Sequence, residues 1–290
     1  MFLHRRKQKN KLDDILNSLV KNEISVTTGK SNGGGDICRS KFGGRPAVPE
    51  DFEWPRYEAK NFDGVLKNRP LSFMCQINLD DVSGYDKDEL LPKTGLLLFF
   101  YEQETMCWGF DPEDKGCSRV YYFADTAALH EAELPADLGE DYRVREYELS
   151  FAARASYPCF EEFDCCADSD IEWEDYDEAV EAKGYELDNE RHKLLGYADL
   201  VKGEMLTECE RVSRDLYCGD AESYGSTPDD TEKEILKAAS DWVLLFQMAS
   251  IEDDDYELMF GDVGDIYYYI RKQDLTELRF DKTWLVLQCG

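Results

Sequence analysis

Apolar residues first recur at Leu12, Ile15, Leu16, Leu19 and Val20, the stripe of a helix over about residues 10–22. TTGKSNGGGD follows and breaks the pattern, because three consecutive glycines lose much backbone entropy in any regular element. From residue 71 the period changes. LSFMCQINL (71–79), GLLLFFYE (95–102) and SRVYYF (118–123) read as strands, and YRVREYELSF (142–151) alternates like a strand with one wet face. Strands return at WVLLFQMAS (242–250), DIYYYIR (265–271) and TWLVLQC (283–289). Tyr267, Tyr268 and Tyr269 are consecutive, so one face of their strand is expected to present phenol rings to solvent or a partner.

Residues 161–184 read as an exposed acidic loop leading into a short helix, with Trp173, Tyr176, Asp177 and Val180 at helical spacing and Gly184 as the stop. Residues 219–230 read as a flexible insertion before a helix near 231–239. LSFMCQIN aligns with WVLLFQMA, placing Gln76 opposite Gln247, and each glutamine is followed by a glycine that opens an aromatic run, Gly95 and Gly264. Upstream, Gly44 in FGGRP answers Gly196 in LLGYA. The expected fold is therefore α+β: two related, mainly antiparallel β-rich halves, an internal duplication, with a few peripheral helices. An N-terminal helix and flexible glycine-rich segment (1–39) would precede a unit over 40–290. That unit would comprise two repeats, about 40–155 and 190–290, joined by an acidic linker.

SKFGGRPAVPEDFEWP, PLSFMCQINLDDV with LPKTGLLLFFY, HKLLGY, and WVLLFQMAS with FGDVGDIYYYIRKQDL resemble the signature blocks of the YwqG-like family of bacterial proteins. The blocks run from about residue 40 to the C-terminus. The resemblance implies tandem halves and a domain without an assigned activity. Two positions depart from the family pattern: Phe260 stands where tryptophan is common, and Ala198 where proline is frequent.

Charge narrows the classes of function. Acidic residues number 63 against 33 basic ones, a formal charge of −30. Such a field repels nucleic acid and anionic lipid and attracts basic proteins. The basic tip over 1–11 has no apolar core behind it and reads as a frayed end. No run suffices to span a bilayer. Ten cysteines and three histidines show no zinc spacing and no disulfide framework, so thiols in a reducing cytoplasm are expected, without metal or cofactor. Asp168, Asp170 and Glu172 mimic the start of a calcium loop, but Trp173 takes the place of its glycine. Nucleophile-elbow, phosphate-loop and zinc-protease motifs are absent from the sequence.

Candidate binding residues come from the repeated blocks. Gly43, Gly44 and Pro46 form a turn permitting close backbone approach, Trp54 reads as an aromatic lid on the core, and Gln76 and Gln247 close apolar strands. The glutamine amides are expected to bond neighbouring turns, because an unpaired buried amide costs on the order of 1–3 kcal/mol. Asp262 and Gly264 mark a second turn, with Asp262 the nearby charge. The composition favours a non-enzymatic protein docking a basic partner, for instance as an immunity-type inhibitor of a cationic toxin. The alternative is an enzyme or small-molecule binder using a cleft between the halves.

Overall fold

The strand-like runs gather into one sheet. The computed structural model describes residues 2–31, 33–61, 63–167, 171–184 and 191–290. Ten strands form the main sheet: β1 (Lys21–Lys30), β2 (Lys41–Phe42), β3 (Ser72–Asn78), β4 (Leu96–Tyr101), β5 (Ser118–Phe123), β6 (Tyr147–Ser156), β7 (Lys193–Leu195), β8 (Trp242–Ala249), β9 (Asp265–Arg271) and β10 (Trp284–Gln288). Their order is β10-β9-β8-β7-β1-β6-β2-β3-β4-β5, with every pairing antiparallel. The centre is the long β1–β6 ladder, from Lys21 opposite Ser156 to Lys30 opposite Tyr147.

Outward from this ladder several features recur on the two sides. Gln76 of β3 stands opposite Lys41, and Gln247 of β8 opposite Lys193. The β3–β4 register shifts between Phe73 and Cys75, and the β8–β9 register between Leu244 and Phe246. Leu79 N donates to Gly95 O, and Ser250 N donates to Gly264 O.

The sheet bends so that β3 and β4 pack against β8 and β9. Phe99 lies 4.8 Å from Phe246 and 5.1 Å from Tyr268, whose hydroxyl donates to Phe100 O. Each such ring contributes about 1.5–3 kcal/mol by leaving water. The loop after β4 crosses to the opposite edge, where Leu287 N donates to Trp108 O and Trp284 Nε1 to Gly109 O.

Helices cover much of the outer surface. The longer ones are α1 (Phe2–Leu19), α2 (Phe160–Ala167), α3 (Trp173–Glu181), α4 (Leu206–Val212) and α5 (Asp229–Ala239). Leu12 and Leu16 of α1 meet Phe163, Tyr176 and Val180 in a small core of their own. Met205 and Cys209 pack with Trp242, Tyr267 and Tyr269 on the outer face of β8 and β9.

Several expectations change. The first helix begins at Phe2 rather than fraying, and it ends at Leu19, with Val20 exposed. Residues 21–30, read as the helix end and a glycine-rich break, form the central strand, because Ile24 and Val26 enter the inner core. The strand expected over 142–151 is shifted to 147–156, since residues 140–142 make a 3₁₀ turn. The start of the acidic segment is α2 rather than a loop, with the Phe163 ring tilted against that of Tyr176 at 4.5 Å. The insertion at 219–230 contains a helical turn capped by Asp220 and held by Arg211 through Ser223 O and Thr227. All three tyrosines of β9 are buried, because α4 and the segment at 198–200 cover the face expected to be open.

Candidate functional site

Alternation along β1 and β6 sends Ile24, Val26, Tyr147, Leu149 and Phe151 into the inner core. Glu23, Thr27, Ser150 and Arg154 are thereby turned to the outer face. A buried lysine closes each end of this strip. Lys193 Nζ lies 2.7 Å from Glu23 Oε2 and 2.7 Å from Asp199 Oδ2, with all three side chains at most 8% exposed. Lys41 Nζ lies 3.1 Å from Glu146 Oε2, which is 24% exposed. Two residues before each lysine is an arginine: Arg39 pairs with Glu146 at 2.7 Å, and Arg191 with Asp265 at 3.0 Å.

Environment tunes these groups. Burial would raise the Glu146 carboxyl, but hydrogen bonds from Ser31 and Lys41 and the nearby cations hold it below its ordinary value. Burial pushes Asp265 up to about 6 against the opposing pull of Arg191. His192, between Arg191 and Lys193, is driven down to about 3 by burial and by Arg191. It is a neutral core histidine, its Nδ1 accepting from Ala249 N and its ring edge-on to Phe42.

The expected site residues occupy separate places. Gln76 is saturated by backbone: Oε1 accepts from Ala47 N, and Nε2 donates to Ile37 O and Arg39 O. Gln247 Oε1 accepts from Asp199 N and Nε2 donates to Asp265 Oδ2. Gly43 and Gly44 have positive φ and lie against Val144 and Glu146; Pro46 O receives Ala132 N nearby. Trp54 donates to Leu71 O and stands edge-on to Phe100. Asp262 is exposed, with its backbone carbonyl accepting from Gly290 N, and Gly264 is packed against Gln288 and Cys289. The first-half turn and the glutamines thus join the charged clusters; Gly264 directly precedes Asp265 at the start of β9, and Asp262 lies on the exposed turn before it. Asp168 and Asp170 of the calcium-like run lie outside the described residues.

Beside the Lys193 cluster opens a cleft of about 750 Å³ between the end of β6, α2, α3 and the segment at 198–200. Trp173, Tyr176, Asp177, Val180 and Glu181 of α3 line it, with Glu161, Arg191 and Asp199. Trp173 is 54% exposed. Burial and the charges of Glu161 and Glu174 raise the Asp177 carboxyl above its ordinary value. A second cleft of about 700 Å³ lies at the other end of the strip, lined by Ser31, Arg145, Glu146 and Asp253–Asp255.

Sequence reading missed the paired lysines and arginines. Their signal was present: Arg-x-Lys recurs at Arg39–Lys41 and Arg191–Lys193, in each case three residues before the aligned glycine, Gly44 or Gly196. The helical spacing from Trp173 was visible, but its role as a cleft wall depends on Arg191 and Asp199, which are distant in sequence. Among the described residues no group of histidine, cysteine and carboxylate ligands could hold a metal ion, and no helix is long and apolar enough to cross a membrane.

No curated protein matches the chain. A family match covers residues 40–289, which hold nine of the ten strands of the sheet and both buried lysines but not β1 with Glu23, nor Ser31 and Arg39. The chain therefore belongs to the family described as "Domain of unknown function (DUF1963)".

Proposed function

We propose that the chain is a non-enzymatic interaction protein whose acidic outer face docks a basic protein partner. The observation that carries this reading is the composition of the larger cleft. Its aromatic wall is open at Trp173, and Glu161, Asp177 and Glu181 outnumber its one arginine, which is already paired with Asp265. Complementary fields speed encounter and select partners, which suits an immunity-type role against a cationic toxin. The reading takes the chain as a YwqG-like member of its family, which the blocks quoted above support, and as a cytoplasmic protein, with which the free thiols at all eight described cysteine side chains are in keeping.

The same proposal treats the halves as repeats about a pseudo-twofold axis through Thr27 and Ser150. The matched features support it: Lys41 with Glu146 against Lys193 with Glu23, the Gln76 and Gln247 amides, and the equivalent register shifts. Superposing 40–155 on 190–290 tests it; failure of Lys41 to overlay Lys193 would remove the duplication. Rings of Phe42, Phe99, Phe246 and Tyr268 fill the inner space between the two sides, so the outer cleft is the better site.

Calorimetric titration with a small, strongly basic protein tests the docking reading. Binding should weaken several-fold between low and near-physiological salt. No binding at low salt, or affinity indifferent to salt, refutes it.

A further inference from the structure

We propose that the larger cleft seats an arginine side chain of the partner, its guanidinium flat on Trp173 and forked onto Asp177. This rests on the docking reading and names the chemistry that its central contact recognises.

The helix α3 sets the geometry. Trp173 and Asp177 are one turn apart, so indole and carboxylate share a face about 5–6 Å apart at their Cβ atoms. Tyr176, one residue before Asp177, turns inward, where its hydroxyl bonds Pro158 O and its ring packs on Phe160 and Phe163. The wall is therefore fixed before any partner arrives. Nearby cations are committed elsewhere: Arg191 to Asp265, and Lys183 to Asp13 and Asn17. Among the described residues no ion pair engages Glu161, Asp177 or Glu181, and no cation lies over Trp173.

The chain itself shows what completes such a surface. Arg271 lies 4.7 Å over Trp242 while pairing with Glu210 at 2.7 Å. Arg211 lies 4.0 Å over Tyr224 and pairs with Glu232, and Arg145 lies 4.6 Å over Tyr256 and pairs with Asp255. Three times an arginine is held between an aromatic face and a carboxylate. At Trp173 and Asp177 the ring and the carboxylate are present on an open wall, and the cation is to be supplied from outside. A guanidinium suits this better than an ammonium, because it is planar, weakly hydrated and forks onto a carboxylate.

The test compares two short, otherwise neutral peptides, one carrying two arginines and the other two lysines. Binding is read from the indole NMR signal of Trp173, identified by its loss in Trp173→Ala, and from calorimetry. The arginine peptide should bind about fivefold more tightly. Asp177→Asn and Trp173→Ala should each reduce it to the lysine peptide's affinity, with Trp173→Phe in between. Unfolding midpoints of all three variants should match the parent. Equal affinity for both peptides, or an arginine preference that survives Trp173→Ala, overturns the seat; the docking reading then stands if the basic protein still binds with salt-sensitive affinity. If that protein also fails to bind, both readings fall.

Discussion

Replacing Lys193 with methionine keeps the length of the side chain and removes its charge, leaving Glu23 and Asp199 facing each other at 2% and 8% exposure. Breaking a buried ion pair from one side costs about 3–5 kcal/mol, because the remaining charge is poorly reached by water. Glu23 keeps Arg154 at 3.7 Å, which puts the loss toward the lower end of that range. Lys41→Met is the matched control. Its partner Glu146 is 24% exposed and keeps Arg39 and Ser31, so the loss there should be about 1–2 kcal/mol. Urea unfolding near neutral pH should show a lower midpoint for Lys193→Met than for Lys41→Met, at unchanged slope. Adding Glu23→Gln to Lys193→Met should recover part of the loss, since an amide leaves one fewer buried charge. The reasoning fails if Lys41→Met is as damaging as Lys193→Met, or if Glu23→Gln deepens the defect.

Burial pushes Glu162 up to about 7, the charge of Glu204 adding to the rise and Lys21 opposing it. A raised carboxyl contributes stability that is complete below its ordinary value of 4.5 and lost as pH rises through about 7, so Glu162→Gln should flatten the pH dependence in that window by up to about 3 kcal/mol. Midpoints measured near pH 5 and pH 8 check this; a variant retaining the parent's difference speaks against it. Gly43→Ala should cost more than about 3 kcal/mol, because φ is +54° and the new Cβ would sit 2.2 Å from Val144 O. Gly184→Ala, also at positive φ but with open space around it, should cost about 1 kcal/mol, and comparable losses at the two sites would refute the packing argument. Asp262→Ala should stay within about 1 kcal/mol, since the bond to Gly290 N uses the backbone carbonyl; a larger drop in midpoint would assign the side chain a structural role.

The sheet was legible wherever a strand is apolar on both faces. Leu96–Tyr101 and Asp265–Arg271 declare themselves because each buries its inner side against the other half and its outer side under covering segments. KNEISVTTGK hides the central strand for the opposite reason. Only Ile24 and Val26 enter the core, and Glu23 on the other face is satisfied by Lys193, far along the chain. Gln76 was read correctly as a backbone binder, because burying an amide dictates a partner whichever turn supplies it. Gln247 follows only in part, since its Oε1 takes Asp199 N while its Nε2 turns to the Asp265 carboxylate. The covering of Tyr267 and Tyr269 could not be read, since α4 reaches them from a segment whose own pattern names no target. The cleft lay half in view: α3 carries its wall in one stretch, while the opposing side depends on how β7 docks.

The position of β1 has a consequence for the order of events during synthesis. It leaves the ribosome well before its two neighbours, Tyr147–Ser156 and Lys193–Leu195, which emerge much later. Until then its backbone groups have no ladder, and its contacts are among those of highest sequence separation in the molecule. Topologies of this kind fold slowly, and their waiting edges are open to wrong partners. A fragment starting at residue 40, where the family match begins, would lack the strand between β6 and β7 and leave two raw edges at the middle of the sheet. Such a fragment should aggregate, and a synthetic peptide of residues 21–30 supplied during refolding should suppress that aggregation by taking the vacant place.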